Sequence, residues 1–210
     1  MKIVDTGENK VWRILAASDP RQICERAGAV FDPAVGAYRM LSFGRPFSIH
    51  PGERRILAND PQGENLLKRD DYFFTFSLLW YLVKASTVRP TGALVRPADL
   101  PGGEIFLKGT HILPLDALAA KYATCPRAFR SAGAALGGRV VAYGDTALEL
   151  LPLPKVPTTL ILWTEDDEFP ARANLLFDAT CTMHLPLDIL WSVAMMSVLP
   201  FLEHTAFCYP

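Results

Sequence analysis

The sequence lacks the short motifs that identify the common classes of enzyme and nucleic-acid-binding protein. It contains no C-x-x-C pair, no G-x-x-x-x-G-K-[ST] phosphate loop and no G-x-S-x-G nucleophile turn. These absences exclude the usual zinc ribbons, P-loop nucleotide hydrolases and α/β-hydrolases. The formal net charge of −1 shows no basic excess, which argues against a nucleic-acid partner.

Long apolar runs are also missing. Charges interrupt every apolar stretch of residues 1–15, which is not the pattern of a secretory signal. The most apolar late segment, residues 185–202, contains Asp188 and two prolines and is short for a membrane span. We therefore predict a cytoplasmic protein with no membrane partner, whose last helix belongs to the core.

The four cysteines are dispersed. Cys181 and His184 are three residues apart, and His204 and Cys208 are four apart, but the two pairs flank the last predicted helix and match no zinc motif. Because disulfides are unusual in a reducing cytosol, most of these thiols are interpreted as small buried hydrophobic side chains. The sequence identifies no cofactor.

What the sequence has is a large share of apolar residues, half of the chain, arranged in blocks. Residues 8–27 predict a helix broken at Asp19-Pro20, and residues 29–57 predict an antiparallel meander. Further segments are predicted in chain order: a loop over 59–65, a buried helix over 70–85, a loop over 86–103, a short strand over 104–107, helices over 115–122 and 126–135, four strands within 139–178, and a last helix over 186–203.

Strands and helices therefore occur in blocks and do not alternate. This arrangement predicts the α+β class, with a mainly antiparallel sheet, a central buried helix and a C-terminal packing helix. The preferred organisation is a single domain over residues 1–210; a separate N-terminal lobe over 1–65 is the other interpretation.

The densest charge lies between two predicted strands. Four consecutive acids follow the apolar run 160–163, and a fifth ends the next strand: Glu165, Asp166, Asp167, Glu168 and Asp178. Clustered carboxylates bind divalent cations or shift one another's pKa. Because alternate residues of an extended segment share a face, Asp166, Glu168 and Asp178 are the predicted metal ligands. The other interpretation is a solvated loop in which one acid caps a turn.

Two arginines flank the Gly/Pro-rich part of the predicted loop 86–103. Arg89 and Arg96 lie near the two ends of the segment VRPTGALVRP. Guanidinium groups on such loops suit phosphate or carboxylate ligands. Long loops within a compact domain are often functional. We predict a ligand site in which the sheet brings this loop next to the acids, formed by Arg89, Arg96, Asp167, Glu168 and Asp178. Solvated arginines paired with acids are the alternative.

Three sequence blocks carry a resemblance to a known family: FSLLWYLVKA, ADLPGGEIF and AALGGRVVAYGDTALELLPLPKVPTTLILWTEDDEFPARANLLFD. They resemble the bacterial and archaeal family called domain of unknown function 3786, over about residues 30–202 and most strongly over 136–178. The family brings no established activity. The resemblance implies an association with anaerobic redox or one-carbon (corrinoid) chemistry. Some members are fused to a cysteine-rich iron–sulphur domain, but this chain has no such cysteine cluster.

The predicted function is therefore binding of a small molecule or a protein partner, accessory to anaerobic redox or one-carbon metabolism. The alternative is a metal-assisted hydrolase or transferase that uses the clustered carboxylates. A third interpretation is a structural subunit that forms a homo-oligomer through its C-terminal helix, if that helix is exposed. Whether the chain is an enzyme is left open.

Overall fold

The computed structural model describes residues 7–69 and 71–205. In this part of the chain, seven α-helices accompany two antiparallel sheets of four and five strands. The α+β class with a mainly antiparallel sheet is therefore confirmed.

The elements have the following bounds. The helices are α1 (Gly7–Ala17), α2 (Pro20–Ala27), α3 (Pro61–Arg69), α4 (Asp71–Lys84), α5 (Leu115–Tyr122), α6 (Pro126–Ala135) and α7 (Leu187–Glu203). The strands are β1 (Val30–Asp32), β2 (Ala37–Ser42), β3 (Arg45–His50), β4 (Arg55–Ala58), β5 (Leu94–Val95), β6 (Arg139–Val141), β7 (Thr146–Leu153), β8 (Val156–Trp163) and β9 (Arg172–Asp178).

Local signals explain the beginning of the chain. The side chain of Asp19 accepts a hydrogen bond from the backbone N–H of Arg21, and Pro20 is the first residue of α2. An N-cap acid followed by proline at the first helical position favours a helix start, so the predicted break is confirmed. Strands β1 to β4 pair in chain order, as predicted for the meander over 29–57.

The predicted loop over residues 59–65 is wrong, because α3 begins at Pro61. Asp60 Oδ1 accepts hydrogen bonds from the backbone N–H groups of Gln62 and Gly63, at 3.0 and 2.9 Å. Asp60 is therefore the N-cap of α3, and Pro61 occupies the first helical position. The glycine packs closely against β4, since a Cβ at this position would lie 2.9 Å from that of Ala58.

Two further assignments between residues 86 and 107 differ from the prediction. The predicted loop 86–103 contains β5, which pairs with β9. The predicted strand over 104–107 lies in a 3-10 turn, Gly103–Leu107, which packs on the 3-10 turn Pro97–Asp99. Tertiary packing of Phe106, which is buried, outweighs the strand propensity of this short segment.

Helix α4 is the central buried helix that the sequence predicts. It packs against α1, α2, α3 and α7, and Phe74, Leu78, Tyr81 and Leu82 are fully buried. Residue 70, at which the predicted helix starts, lies outside the described residues.

Helix α7 packs into the same core, as predicted for the C-terminal helix. Most of its residues are buried, and its partly exposed apolar side chains include Trp191, Met195 and Leu202. The predicted homo-oligomer contact requires α7 to be exposed. That contact stays a prediction. No helix among the described residues has both the length and the apolar character needed to cross a membrane.

The second sheet has the strand order β5-β9-β8-β7-β6. Its inner face packs against helices, among them α5, α6 and α7, through six apolar side chains that are almost completely buried: Leu148, Leu150, Leu160, Leu162, Leu175 and Phe177. The outer face carries the residues that alternate with these.

Hydrogen bonds connect the first sheet and α2 to the second sheet. The backbone N–H of Phe43 donates to the carbonyl of Leu151 at 2.8 Å, and Ser42 Oγ donates to the carbonyl of Pro152 at 2.7 Å. In the turn between β7 and β8, Lys155 Nζ donates to the carbonyl of Arg26, at the end of α2, at 2.5 Å.

Candidate functional site

The predicted convergence of the acid run with Asp178 is wrong. Strands β8 and β9 are antiparallel, with Trp163 opposite Arg172 and Thr158 opposite Phe177. Residues 165–168 follow the end of β8, and Asp178 lies at the far end of β9. Six residue steps along β9 separate the two ends by about 20 Å at ~3.4 Å per residue. The sheet thus holds the two groups of carboxylates apart.

Asp178 is a buried carboxylate, only 1% exposed. Its Oδ1 accepts hydrogen bonds from the backbone N–H of Thr180 at 3.0 Å and from Thr180 Oγ1 at 2.7 Å. Its Oδ2 accepts from the backbone N–H of Gly92 at 2.6 Å, and Thr91 Oγ1 lies 3.4 Å from Oδ1. Asp178 therefore ties the loop before β5 to the end of β9.

These contacts decide the role of Asp178. Burial works against its ionisation, but the hydrogen bonds from Thr180, Thr91 and Gly92 outweigh burial and hold the pKa of this carboxyl below its usual range. Three donors at 2.6 to 3.0 Å already hold this buried carboxylate, and the Thr91 hydroxyl lies 3.4 Å from Oδ1. Asp178 is therefore a positioning residue for the loop.

The acids of the run 165–168 lie in the connection between β8 and β9. Asp166 Oδ1 accepts hydrogen bonds from the backbone N–H groups of Glu168 and Phe169, at 2.9 and 2.7 Å, so one acid caps a turn. Asp167 and Glu168 are exposed side chains. This geometry matches the interpretation as a solvated loop more closely than a convergent ligand site.

The two predicted arginines also lie apart from the acid run. Arg96 forms a bidentate ion pair with Asp99, at 2.7 and 2.8 Å, on the surface. Arg89 is exposed. Burial first, and then the positive charge of Arg89, lower the pKa of Lys155. The structure therefore does not assemble the predicted five-residue ligand site, and binding by Arg89, Arg96, Asp167 or Glu168 individually stays a prediction.

The prediction that Asp166, Glu168 and Asp178 bind a metal ion is also wrong, because Asp178 lies at the opposite end of β9 from the other two. Within residues 7–69 and 71–205 there is no group of three or more His, Cys, Asp or Glu side chains that could hold a metal ion. The pair Cys181 and His184 is buried, and Cys208 lies outside the described residues.

A groove of about 740 Å³ lies on the outer face of the second sheet, and we call it the sheet-face groove. The loop held by Asp178 forms one wall, and β6 with the residues after it forms the opposite wall. Residues of β7 and β8 form the floor. The lining consists of Pro90, Gly92, Leu94, Arg139, Val140, Val141, Ala142, Tyr143, Glu149, Leu151, Pro157, Thr159 and Asp178.

The groove combines apolar surface with one ion pair. Val140, Tyr143 and Leu151 are large apolar or aromatic side chains that are about half exposed. Arg139 NH2 lies 2.8 Å from Glu149 Oε1, and the arginine side chain is 71% exposed. The side-chain hydrogen bond to Glu149 raises the pKa of Arg139, so the guanidinium is charged at any physiological pH. It can therefore contact an anionic group in the groove.

A partly buried polar cluster lies behind the loop that forms the groove wall. Lys155 Nζ donates to the carbonyl of Ser86 at 2.9 Å, and the backbone N–H of Ser86 donates to His184 Nδ1 at 3.3 Å. Nδ1 is thus an acceptor, which places the imidazole proton on Nε2. Burial, and then the charge of Lys155, lower the pKa of His184. The neutral histidine supports the chain where it leaves α4.

The cysteines divide into different environments. Cys24 is a half-buried free thiol and Cys181 a fully buried one, whose pKa burial raises to about 12. Both agree with the interpretation as small buried side chains. Cys125 is disulfide-bonded, which the argument from a reducing cytosol does not predict. The cytoplasmic location therefore stays a prediction.

Arg139, Glu149 and Tyr143 are not among the site residues that the sequence predicts. Residues 139 and 149 lie opposite each other in the pairing of β6 and β7, a register that the sequence pattern did not predict. Two oppositely charged residues at such positions share one face of the sheet. The wall formed by loop 86–103 depends on the contact of Asp178 with Gly92, which no local pattern indicates.

Comparison with known proteins gives one match. No curated protein and no solved structure matches the chain. The family model described as Domain of unknown function (DUF3786) matches residues 19–199, which is well over half of the 210 residues. The chain therefore belongs to the family described as Domain of unknown function (DUF3786).

Proposed function

We propose that this protein binds a small ligand in the sheet-face groove. The observation that carries the proposal is a groove of about 740 Å³, one wall of which is fixed by the buried carboxylate of Asp178. Pockets for small molecules occupy about 300–1,000 Å³ and are largely apolar with a few placed polar groups. The groove has this size and this composition.

The chemistry of the lining defines the class of ligand. Leu94, Leu151 and Pro157 offer contacts to an apolar body. Arg139 offers a guanidinium with five donors, and Nη2 donates to Glu149 Oε1. The ligand is accordingly a molecule with an apolar body and an anionic group that contacts Arg139. This assigns to Arg139 the role that the sequence predicts for Arg89 or Arg96.

We also propose a biological setting for this binding. As an accessory protein of anaerobic redox or one-carbon metabolism, the chain would bind a metabolite or a partner. The support for this setting is the family resemblance alone. Titration with hydroxocobalamin, a corrinoid, tests it: the setting predicts shifts of groove amide resonances, and their absence counts against a corrinoid ligand. The metal-assisted alternative is not proposed, because the acids it needs lie at opposite ends of the sheet.

An anionic dye with an apolar body, 1-anilinonaphthalene-8-sulfonate, tests the groove directly. Fluorescence titration gives the affinity, and amide chemical shifts give the location of the dye. We expect shifts at residues of the groove, and a loss of about fivefold in affinity for Arg139→Ala, the effect of ~1 kcal/mol from one exposed ionic contact. The matched control Arg96→Ala removes an exposed arginine outside the groove and leaves the affinity unchanged.

Three results would contradict the proposal. The first is a set of shifts outside the groove. The second is an equal loss of affinity for Arg139→Ala and Arg96→Ala, which would indicate unspecific attraction of the sulfonate. The third is unchanged binding by Leu151→Gln, which replaces a floor residue that is 44% exposed, so that the substitution should leave the fold intact.

A further inference from the structure

A second cavity, of about 440 Å³, lies at the other end of the second sheet. It is formed where β8 ends and β9 begins, next to the turn before β7, and it shares no residue with the sheet-face groove. We call it the strand-end cavity. Its side chains include two aromatic rings, two carboxylates and one guanidinium: Trp163, Phe169, Asp145, Asp166 and Arg172.

Both carboxylates are held by hydrogen bonds to one oxygen only. Asp145 Oδ2 accepts from the backbone N–H and the hydroxyl of Thr164, at 2.8 and 2.9 Å. Asp166 Oδ1 accepts from the N–H groups of Glu168 and Phe169. In the part of the chain that the structure describes, Asp145 Oδ1 and Asp166 Oδ2 accept no hydrogen bond. Each of these carboxylates is therefore held in one orientation by one oxygen, and its other oxygen can accept hydrogen bonds from a ligand.

The aromatic rings of the cavity provide stacking surfaces. The guanidinium carbon of Arg172 lies 4.5 Å from the ring centroid of Trp163, so the cavity already accommodates one planar cation from the chain itself. The side chain of Phe169 is 66% exposed. Cations are attracted to the faces of such rings, and an exposed phenylalanine beside two carboxylates offers a second place for one.

The local charge favours a cationic ligand. Glu165, Asp167 and Glu168 are exposed beside the two cavity carboxylates, and Arg172 is the base among them. Hydrogen bonds from the backbone and the hydroxyl of Thr164 keep the pKa of Asp145 below its usual range, so this carboxylate is charged at neutral pH. A cleft lined by one sign of charge raises the local concentration of ligands of the opposite sign.

We propose that the strand-end cavity binds a guanidinium group, stacked on Phe169 and hydrogen-bonded to Asp145 Oδ1 and Asp166 Oδ2. A guanidinium is planar, weakly hydrated and suited to aromatic faces and to more than one acceptor at once, whereas an ammonium is compact and strongly hydrated. The group comes either from an arginine of a partner protein or from a small guanidino compound. This site is independent of the function proposed for the groove.

Two probes distinguish these sources. One is agmatine, a small guanidino compound, and the other is an acetylated five-residue peptide that contains two arginines; cadaverine and the corresponding lysine peptide are the matched amines. Amide and indole resonances of the protein report the location and the affinity. We expect shifts at Trp163, Phe169 and Asp145. We also expect the arginine peptide or agmatine to bind at least about tenfold more tightly than its matched amine, a difference of ~1.4 kcal/mol.

Three variants separate the cavity from general charge attraction. Phe169→Ala removes the exposed ring and is expected to weaken binding about threefold, as for an exposed cation–π contact. Asp145→Asn is expected to weaken it further. Glu165→Gln removes an exposed acid of the same loop that does not line the cavity, and it is expected to change the affinity by less than about twofold, as a single exposed charge does.

The outcomes decide both the site and its ligand. Tighter binding of the peptide than of agmatine identifies a protein partner, and equal binding identifies a small guanidino compound. Equal affinity for the guanidinium probes and their amines overturns the proposal, as does an equal loss for Phe169→Ala and Glu165→Gln. If Asp145→Asn unfolds, the exposed Phe169 still decides the question. A failure here leaves dye binding in the sheet-face groove unaffected.

Discussion

Replacing Asp178 by asparagine tests whether this carboxylate holds the groove wall. The substitution keeps the size of the side chain but replaces one accepting oxygen by an NH₂ group. If the amide oxygen keeps the two bonds from Thr180, the NH₂ group faces the backbone N–H of Gly92, which lies 2.6 Å from Oδ2 in the native protein. Two donors then oppose each other, and the loop must move away from β9.

The magnitude follows from the bonds that are lost. A hydrogen bond to a charged group contributes about 1.5–3 kcal/mol. Asp178→Asn loses the bond from Gly92 and converts the two bonds from Thr180 into neutral ones. We expect a decrease of about 2–3 kcal/mol in the free energy of unfolding, measured by urea denaturation at pH 7. Hydrogen exchange should accelerate at the amides of Gly92 and Ala93, because this end of the loop is released.

The same experiment has a pH arm and a control. The folded-state pKa of Asp178 lies below the ordinary value of 3.8, so its stabilisation is present above that value and is lost as the pH falls through the folded-state pKa. The difference between wild type and Asp178→Asn should therefore disappear in acid. Asp167→Asn, at an exposed acid, should change stability by less than about 0.5 kcal/mol. A similarly small effect for Asp178→Asn at pH 7 would refute the assignment of Asp178 as a positioning residue.

Two further predictions concern packing and thiol chemistry. A Cβ at Gly103 would lie 2.2 Å from the backbone oxygen of Pro97, so Gly103→Ala should lower the thermal midpoint of unfolding by at least about 4 °C. As a control, Gly52→Ala should leave the midpoint unchanged, because a Cβ there meets nothing within 4 Å. Equal midpoints for the two variants would contradict the packing argument. Native protein treated with iodoacetamide should be alkylated at the half-buried Cys24 and not at Cys181, whose pKa is about 12. Peptide mass spectrometry measures the extent of alkylation at both thiols, and a urea-unfolded sample serves as the control. Equal labelling of Cys24 and Cys181 in the native protein would contradict the burial of Cys181.

Local sequence signals predict much of the secondary structure. The wrong assignments arise where such a signal received too little weight or where no local signal exists. The cap Asp19 and the proline after it predict the start of α2 correctly. The same pair of residue types, Asp60 and Pro61, begins α3, but the polar composition of residues 59–65 led to the prediction of a loop. The helix-start signal of α3 was therefore present in the sequence, but the polar composition of residues 59–65 was given more weight. The 3-10 turn over 103–107 is different, since it depends on a tertiary contact that no local pattern contains.

The error at the predicted site has a topological cause. An antiparallel sheet was predicted correctly, and consecutive antiparallel strands run in opposite directions. An acid run after β8 and an acid at the end of β9 must then lie at opposite ends of this strand pair. The predicted antiparallel pairing was therefore itself an argument against the predicted site. The groove itself was beyond the sequence, because its wall depends on one buried carboxylate reaching a loop 86 residues away.

The contacts that join the sheets also affect how fast the chain folds. The hydrogen bond from Lys155 to the carbonyl of Arg26 spans 129 residues, and the bond from Ser42 to the carbonyl of Pro152 spans 110. Closing such long loops costs chain entropy before any native contact compensates for it, and folding rates fall as the mean sequence separation of native contacts rises. The chain should therefore fold in milliseconds to seconds, and both halves of the sequence must be available before the core can close.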